Sequence, residues 1–174
     1  PSGVHIDAGG IGKGLAADMI ATETMGLGAA GVLVNVGGDL RVIGDAPGDS
    51  VWRIDVDHPT DGSRRIAQAI LPGAGSGSAL ATSSRMKRAW STDGSTRHHL
   101  IDPRTGAPAD RPWAMVSVIC DHAWRAEALT KAAFLDGSLD PNLGARTLLA
   151  DPDGLAELDG HHAERSFLLT SDHC

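Results

Sequence analysis

Asp7-Ala8-Gly9-Gly10-Ile11-Gly12-Lys13-Gly14-Leu15 is the stretch on which the fold turns. Before it, the run Val4-His5-Ile6-Asp7 alternates as a strand does; after it, Leu15, Met19 and Ile20 recur at helical spacing until Gly26 and Gly28 end the pattern. The order is strand, glycine loop, helix. Glycines let backbone N–H groups approach an anion, and the start of the following helix favours negative charge. Two nucleotide motifs nevertheless fail on single residues. A P-loop needs Ser or Thr after the lysine, where Gly14 stands, and the dinucleotide loop needs Gly where Leu15 stands. The loop is either a structural turn or an anion site of another kind, and Lys13 speaks for the second.

Outward from this unit, Val32-Leu33-Val34-Asn35-Val36 is a β-rich, buried-looking run that Gly37-Gly38-Asp39 breaks before Leu40 to Ile43 resumes, which predicts a strand pair around a turn. Strict alternation in Trp52-Arg53-Ile54-Asp55-Val56-Asp57 predicts a half-exposed strand closed by Pro59, and Ile66 to Leu71 predicts another. Gly73 to Ser78 is a surface loop by composition. Thr92-Asp93-Gly94-Ser95 supplies a hairpin turn, Arg97 to Ile101 a strand, and Asp102-Pro103-Arg104-Thr105-Gly106 a tight turn. Met115 to Cys120 reads as a strand. Ala123 to Phe134 reads as a helix with Ala126, Leu129 and Ala133 on one stripe and Gly137 as its stop. Leu143 to Leu149 is a further helix candidate and Ser166 to Thr170 a last strand. Together these predict an α+β domain with mostly antiparallel pairing.

Composition narrows the function classes. The 174 residues are 41% hydrophobic and 21% charged, enough for one domain with a single core. Aromatics are only 3%, Tyr is absent and the formal charge is −7, a surface suited neither to base stacking nor to neutralising a phosphate backbone. Nucleic acid is therefore not expected as a partner. No stretch approaches the ~18 consecutive apolar residues of a membrane span, and Pro1-Ser2-Gly3 opens no signal-peptide pattern. Cys120 and Cys174 alone make neither a disulfide framework nor a zinc site.

The run Arg97-His98-His99-Leu100-Ile101-Asp102 sets an imidazole three residues from a carboxylate at a strand-to-turn junction, where a histidine can serve as a base near neutral pH. Paired histidines are by default surface decoration, and His161-His162 is read that way. Four segments taken in order carry more than any one of them. Asp7 to Gly14, Asn35-Val36-Gly37-Gly38-Asp39, Ala81-Thr82-Ser83-Ser84 and His99-Leu100-Ile101-Asp102-Pro103-Arg104-Thr105-Gly106 resemble, in sequence and spacing, the motif series of the ApbE family, the FAD:protein FMN transferases.

That resemblance extends to the helix ending at Gly137 and implies an ApbE-type, T-fold-like α+β architecture of mixed, mostly antiparallel sheets with flanking helices. It implies that residues 1–174 are the C-terminal part of a single flavin transferase domain whose upstream segment is absent from this chain. That segment, or another chain, would complete the FAD cavity. Members of the family bind FAD, cleave its pyrophosphate with a divalent metal, usually magnesium, and pass FMN to a Ser or Thr of a partner flavoprotein or release FMN and AMP. They are often exported or membrane-tethered, and this chain shows no such signal. By the same match, Gly10, Gly12, Lys13, Asn35, Gly38, Asp39, Thr82, Ser83 and Thr105 would bind FAD, and Gly12 and Glu127 would serve the metal. His99 would be the catalytic base, and Asp102 would shape the turn or orient the site.

Three departures from the family pattern matter. Gly12 and Ser84 stand where the family has Ala and Gly. In the helix, Ala126-Glu127-Ala128-Leu129-Thr130-Lys131 replaces a pattern whose Asp and Thr, four residues apart, bind the metal from one face; Glu127 and Lys131 take those places. A protonated lysine has no lone pair to donate. Three readings stay open: Lys131 replaces the cation, magnesium shifts toward the phosphates and Glu127, or the two residues form an ordinary i,i+4 bridge. The function the resemblance implies is an FMN transferase; the alternatives are a flavin-binding protein that has lost metal-dependent cleavage, for which Lys131 is the motivating residue, and an FAD pyrophosphatase that releases FMN and AMP.

Overall fold

The computed structural model describes residues 8–48, 51–154, 156–158, 161–162 and 167–170. The opening strand expected at Val4 to Asp7 and the terminal Cys174 lie outside them. A 3-10 turn at Ala8–Gly10 leads into helix α1 (Gly12–Gly26), then hairpin strands β1 (Gly31–Val36) and β2 (Asp39–Gly44). Strands β3 (Val51–Asp57), β4 (Arg65–Pro72) and β5 (Ser78–Ser84) follow, then two short hairpins, β6 (Ala89–Thr92) with β7 (Ser95–His98) and β8 (Ile101–Asp102) with β9 (Ala107–Pro108). Strand β10 (Met115–Cys120) precedes helix α2 (Ala123–Asp136). After a 3-10 turn at Pro141–Leu143 come β11 (Arg146–Ala150), β12 (Ala156–Leu158), β13 (His161–His162) and β14 (Phe167–Thr170).

The strands form a seven-stranded antiparallel sheet in the order β1-β2-β5-β10-β11-β12-β13 and a three-stranded sheet β14-β4-β3. All pairings are antiparallel except β14 with β4. Strand β10 shows how one sheet serves two layers, because side chains alternate across it. Met115 and Ile119 join Leu40, Val42, Leu80, Leu148 and the inner residues Val56, Ala67, Ala69 and Leu71 of the smaller sheet. Val116 and Val118 face the other way and pack with Ala133 and Phe134 of α2. The architecture is helices, large sheet, small sheet.

Four sequence expectations are corrected. The apolar repeat of α1 names the wrong face: Leu15, Met19 and Ile20 are exposed, while Gly14, Ala17, Asp18 and Ala21 are buried. The cause is the close crossing of α1 and α2, which only small residues permit. A Cβ on Gly14 would stand 2.3 Å from the Ala123 carbonyl oxygen. The run Val32 to Val36 lies at the edge of the large sheet and is only half-buried. Arg97 to Ile101 is not one strand, since pairing stops after His98 and resumes at Ile101. Leu143 to Leu149 is not a helix: Arg146–Ala150 is a strand with Leu148, Leu149 and Ala150 all buried, one core on each face. Strand β5, made of the small residues Ser78-Ala79-Leu80-Ala81-Thr82-Ser83-Ser84, carries little β signal, yet it runs in the sheet between β2 and β10.

Candidate active site

Each helix begins without a side-chain cap of its own, at Ile11 and at His122. Each is capped by a carboxylate from the other helix. Asp18 on α1 accepts hydrogen bonds from the backbone N–H groups of Ala123 (3.0 Å) and Trp124 (2.9 Å) at the start of α2. Glu127 on α2 accepts one from the Gly14 N–H at 2.8 Å, at the start of α1. The unpaired donors of a helix N-terminus and its dipole favour a carboxylate there. The glutamate arm is long enough to reach across, and Gly14 is small enough to let it.

Glu127 is fully buried, and its second oxygen, Oε1, has no hydrogen-bond partner among the described residues. It faces two ammonium groups, Lys13 Nζ and Lys131 Nζ, each at 3.5 Å. Lys131 also donates to the Glu127 backbone carbonyl at 2.9 Å. Lys13 pairs with Asp39, which is buried at the start of β2 and whose other oxygen accepts from the Thr82 N–H at 3.3 Å. Desolvation pushes the Asp39 carboxyl up despite the opposing hydrogen bond and charge of Lys13. Desolvation likewise pushes the Lys131 ammonium down, against the attraction of Glu127 and Asp39. Two carboxylates and two ammonium groups thus close one cluster at the junction of α1, α2 and β2.

Above the cluster lies a cavity of about 600 Å³. Gly9, Lys13, Asn35, Gly38, Thr82, Ser83, His99 and Lys131 line it. Asn35 accepts from the Gly38 N–H at 2.8 Å, which fixes the turn at Gly37 and Gly38, both with positive φ. Thr82 and Ser117 share a hydroxyl hydrogen bond at 2.8 Å, and Ser83 and Thr130 one at 2.7 Å, tying β5 to β10 and to α2. A second cavity of about 270 Å³ includes Gly9, Gly10, Arg88, His99 and Lys131 in its lining, over an apolar floor of Leu100, Phe134 and Leu135. His99 and Lys131 border both.

The histidine doublet divides its labour. His98 is buried, its Nε2 lies 3.1 Å from the Ala109 carbonyl and its Nδ1 accepts from the Leu100 N–H at 3.3 Å, so it belongs to the core. His99 is exposed and opens onto the cavities. Desolvation lowers its pKa from the ordinary 6.5, opposed by a hydrogen bond to the Arg88 backbone. The imidazole is therefore neutral and able to accept a proton at pH 7.

Asp102 and Thr105 line neither cavity. The Asp102 carboxylate accepts from the Arg104 backbone N–H (2.9 Å) and guanidinium (2.8 Å), which hold its pKa at about 2, and its carbonyl accepts from Gly106. It builds the turn that follows His99. Gly12 lies in the first turn of α1 and lines neither cavity; Gly10 lines the smaller one, and a Cβ there would stand 3.7 Å from the Lys131 Cε. Sequence reasoning missed Lys87 and Arg88, which bring two further cations to the large cavity. The basic run Arg85-Met86-Lys87-Arg88 was the available signal. It also missed Asp55 and His58, supplied by β3 and the loop after it.

A divalent metal at the place the family pattern suggests does not fit these residues. Like unit charges about 4 Å apart repel by about 4 kcal/mol at an effective dielectric of about 20. A doubly charged ion on Glu127 Oε1 would face roughly twice that from each of two ammonium groups. Among the described residues, no group of three or more His, Cys, Asp or Glu side chains is placed to hold a metal.

Known proteins resemble the chain in sequence and in fold. Residues 1–150 match the model of the ApbE family. The FAD:protein FMN transferase of Escherichia coli K12 is 33% identical over 125 residues, 72% of this chain and 35% of the relative. That of Rhodobacter capsulatus is 31% identical over 144 residues, 82% of this chain and 26% of the relative. The crystal structure of the ApbE protein from Thermotoga maritima superposes with a TM-score of 0.79 at 34% identity, covering 90% of this chain and 52% of that one. The apo flavinyl transferase ApbE of Pseudomonas stutzeri gives 0.67 at 26% identity, covering 93% and 49%. The chain thus spans no more than about half the length of these relatives, and over that span it shares their α+β fold. On the family match across residues 1–150 and these likenesses together, the chain belongs to the ApbE family.

Proposed function

We propose that this chain carries the reacting centre of an FAD:protein FMN transferase, with FAD in the large cavity and a Ser or Thr of a partner flavoprotein as acceptor. The observation that supports it best is that His99, Lys13 and Lys131 border one cavity whose wall includes Gly9, Gly37 and Gly38. A neutral base and two cations beside approachable backbone are what transfer between a dianionic diphosphate and a hydroxyl needs. The acceptor oxygen bonds to the phosphorus of the FMN half, the bond from that phosphorus to the bridging oxygen breaks, and AMP leaves with that oxygen. The hydroxyl proton passes to the His99 imidazole. Lys13 and Lys131 meet the charge of the diphosphate, Thr82, Ser83 and Asn35 contact the flavin nucleotide, and Asp102 holds His99 in place through its turn. The exposed apolar residues Leu15, Met19 and Ile20 on α1 support a further polypeptide, an upstream segment or a second chain, packing there and completing the cavity.

The test is product analysis with FAD and a flavoprotein acceptor. Wild type attaches fluorescent flavin covalently to the acceptor, and His99→Ala lowers that rate by about 100-fold or more. Because desolvation places the His99 pKa below 6.5, the rate is flat at neutral pH and falls on acidification with a midpoint under 6.5. Parent-rate transfer by His99→Ala would remove the proposed base. Free FMN and AMP with no labelled acceptor would show a hydrolase in place of a transferase, and intact FAD a protein that binds flavin only.

A further inference from the structure

We propose that this chain supplies its own cation: the ammonium of Lys131, with that of Lys13, stands where a divalent metal would otherwise meet the diphosphate, so the site takes up no metal and holds FAD without one. The ligand in this statement rests on the function proposed above; the exclusion of metal does not.

Five observations converge. Glu127 has one oxygen committed to the Gly14 N–H, so only Oε1 is left to face a cation. Both ammonium groups already lie 3.5 Å from it. In the ligand-free site the charges of Lys13, Asp39, Glu127 and Lys131 sum to zero, so a divalent ion bound there by itself would leave the cluster with a surplus of two positive charges. Lys131 is anchored, since its Nζ donates to the Glu127 carbonyl at 2.9 Å, and its stem runs past Gly10. The side chain is also not sealed in: it borders both cavities, and a ligand phosphate can reach it.

A solvated i,i+4 bridge fails to describe this arrangement. Its acidic partner is fully buried and caps a different helix, and a second lysine from that helix shares the same oxygen.

Two readouts test this on the full chain. The first uses manganese alone, followed by its electron paramagnetic resonance signal in the absence of flavin. Wild type is expected to show no saturable binding, whereas Lys131→Asp, which removes an ammonium and sets a carboxylate one turn from Glu127, binds the ion. Saturable binding by wild type would overturn the proposal whatever the ligand of the cavity. The second follows FAD by flavin fluorescence with magnesium or with chelator. Wild type gives the same Kd in both, Lys131→Met weakens it by about tenfold, and Lys131→Arg retains chelator-insensitive binding. Binding that chelator abolishes in wild type would overturn the proposal. No FAD binding under either condition would overturn the flavin reading, with the manganese result still deciding the cation. Thermal melts of the three variants identify any that fail to fold, and Lys131→Arg then carries the comparison.

Discussion

The two helix starts are built with the same device and put to different use. At the start of α2, Asp18 spends both oxygens on backbone N–H groups and also pairs with the buried Arg41 at 3.1 Å. At the start of α1, Glu127 spends one oxygen on Gly14 and turns the other toward two lysines that border the cavity. A buried carboxylate with both oxygens paired has no hydrogen-bonding capacity left over for a ligand. One with an oxygen left over organises cations, and cations bordering a cavity can meet a ligand. The difference between a structural cap and a site residue is here a difference in unspent hydrogen-bonding capacity, not in burial or residue type.

The substitution that breaks both caps together is Gly14→Ala. Its Cβ would meet the Ala123 carbonyl oxygen at 2.3 Å, backbone against side-chain root, so α1 and α2 must move apart and each carboxylate loses its reach. The expected loss is on the order of 3 kcal/mol, read by urea unfolding. Stability within experimental error of the parent would show that the crossing is looser than described. Next in size is Asp18→Asn, which keeps one acceptor for α2 but leaves Arg41 without its carboxylate. Arg41 still donates to the carbonyls of Asp121 and Ser76, which limits the cost to about 2 kcal/mol. Because Asp18 borders neither cavity, the folded variant should bind FAD as the parent does; a changed Kd would mean the two caps are not separable.

How much of this could be read from residues depended on what each residue had to say locally. The β1–β2 pair, β3, β4, β10 and α2 with its Gly137 stop were legible because alternation, turn glycines and helical spacing all agree there. Strand β5 was not, because small residues carry little propensity and its place is fixed by the neighbours that pair with it. The helix in α1 was legible and its buried face was not, since periodicity marks large apolar side chains and this crossing demands small ones. In the site, Lys13, His99, Glu127 and Lys131 could be singled out along the chain. That Lys13 and Lys131 meet on one oxygen could not, because the contact joins residues 114 and 4 positions from Glu127 through the crossing itself. Of the two histidines the motif match singles out His99, and what it leaves open is the place of His98, which burial assigns to the core.

Glu127→Gln is the smallest change and the sharpest, being the amide counterpart of Asp18→Asn. The glutamine carbonyl still accepts from Gly14, so the cap on α1 survives. The two lysines lose a charge partner, but their side chains are 38% and 31% exposed and can turn to water, whereas Arg41 at 4% cannot. The stability cost should therefore be about 1 kcal/mol, below that of Asp18→Asn. Function should respond in the opposite order. With one negative charge gone, the cluster carries a net positive charge, and an anionic diphosphate binds at least as well as before. The ammonium groups, however, lose the oxygen that aims them, so transfer should slow by about tenfold with KM for FAD unchanged or lower. If FAD binding collapses while the turnover of the bound complex stays at the parent value, Glu127 holds the ligand itself and does not act through the lysines. Its resemblance to Asp18 would then end at the shared cap.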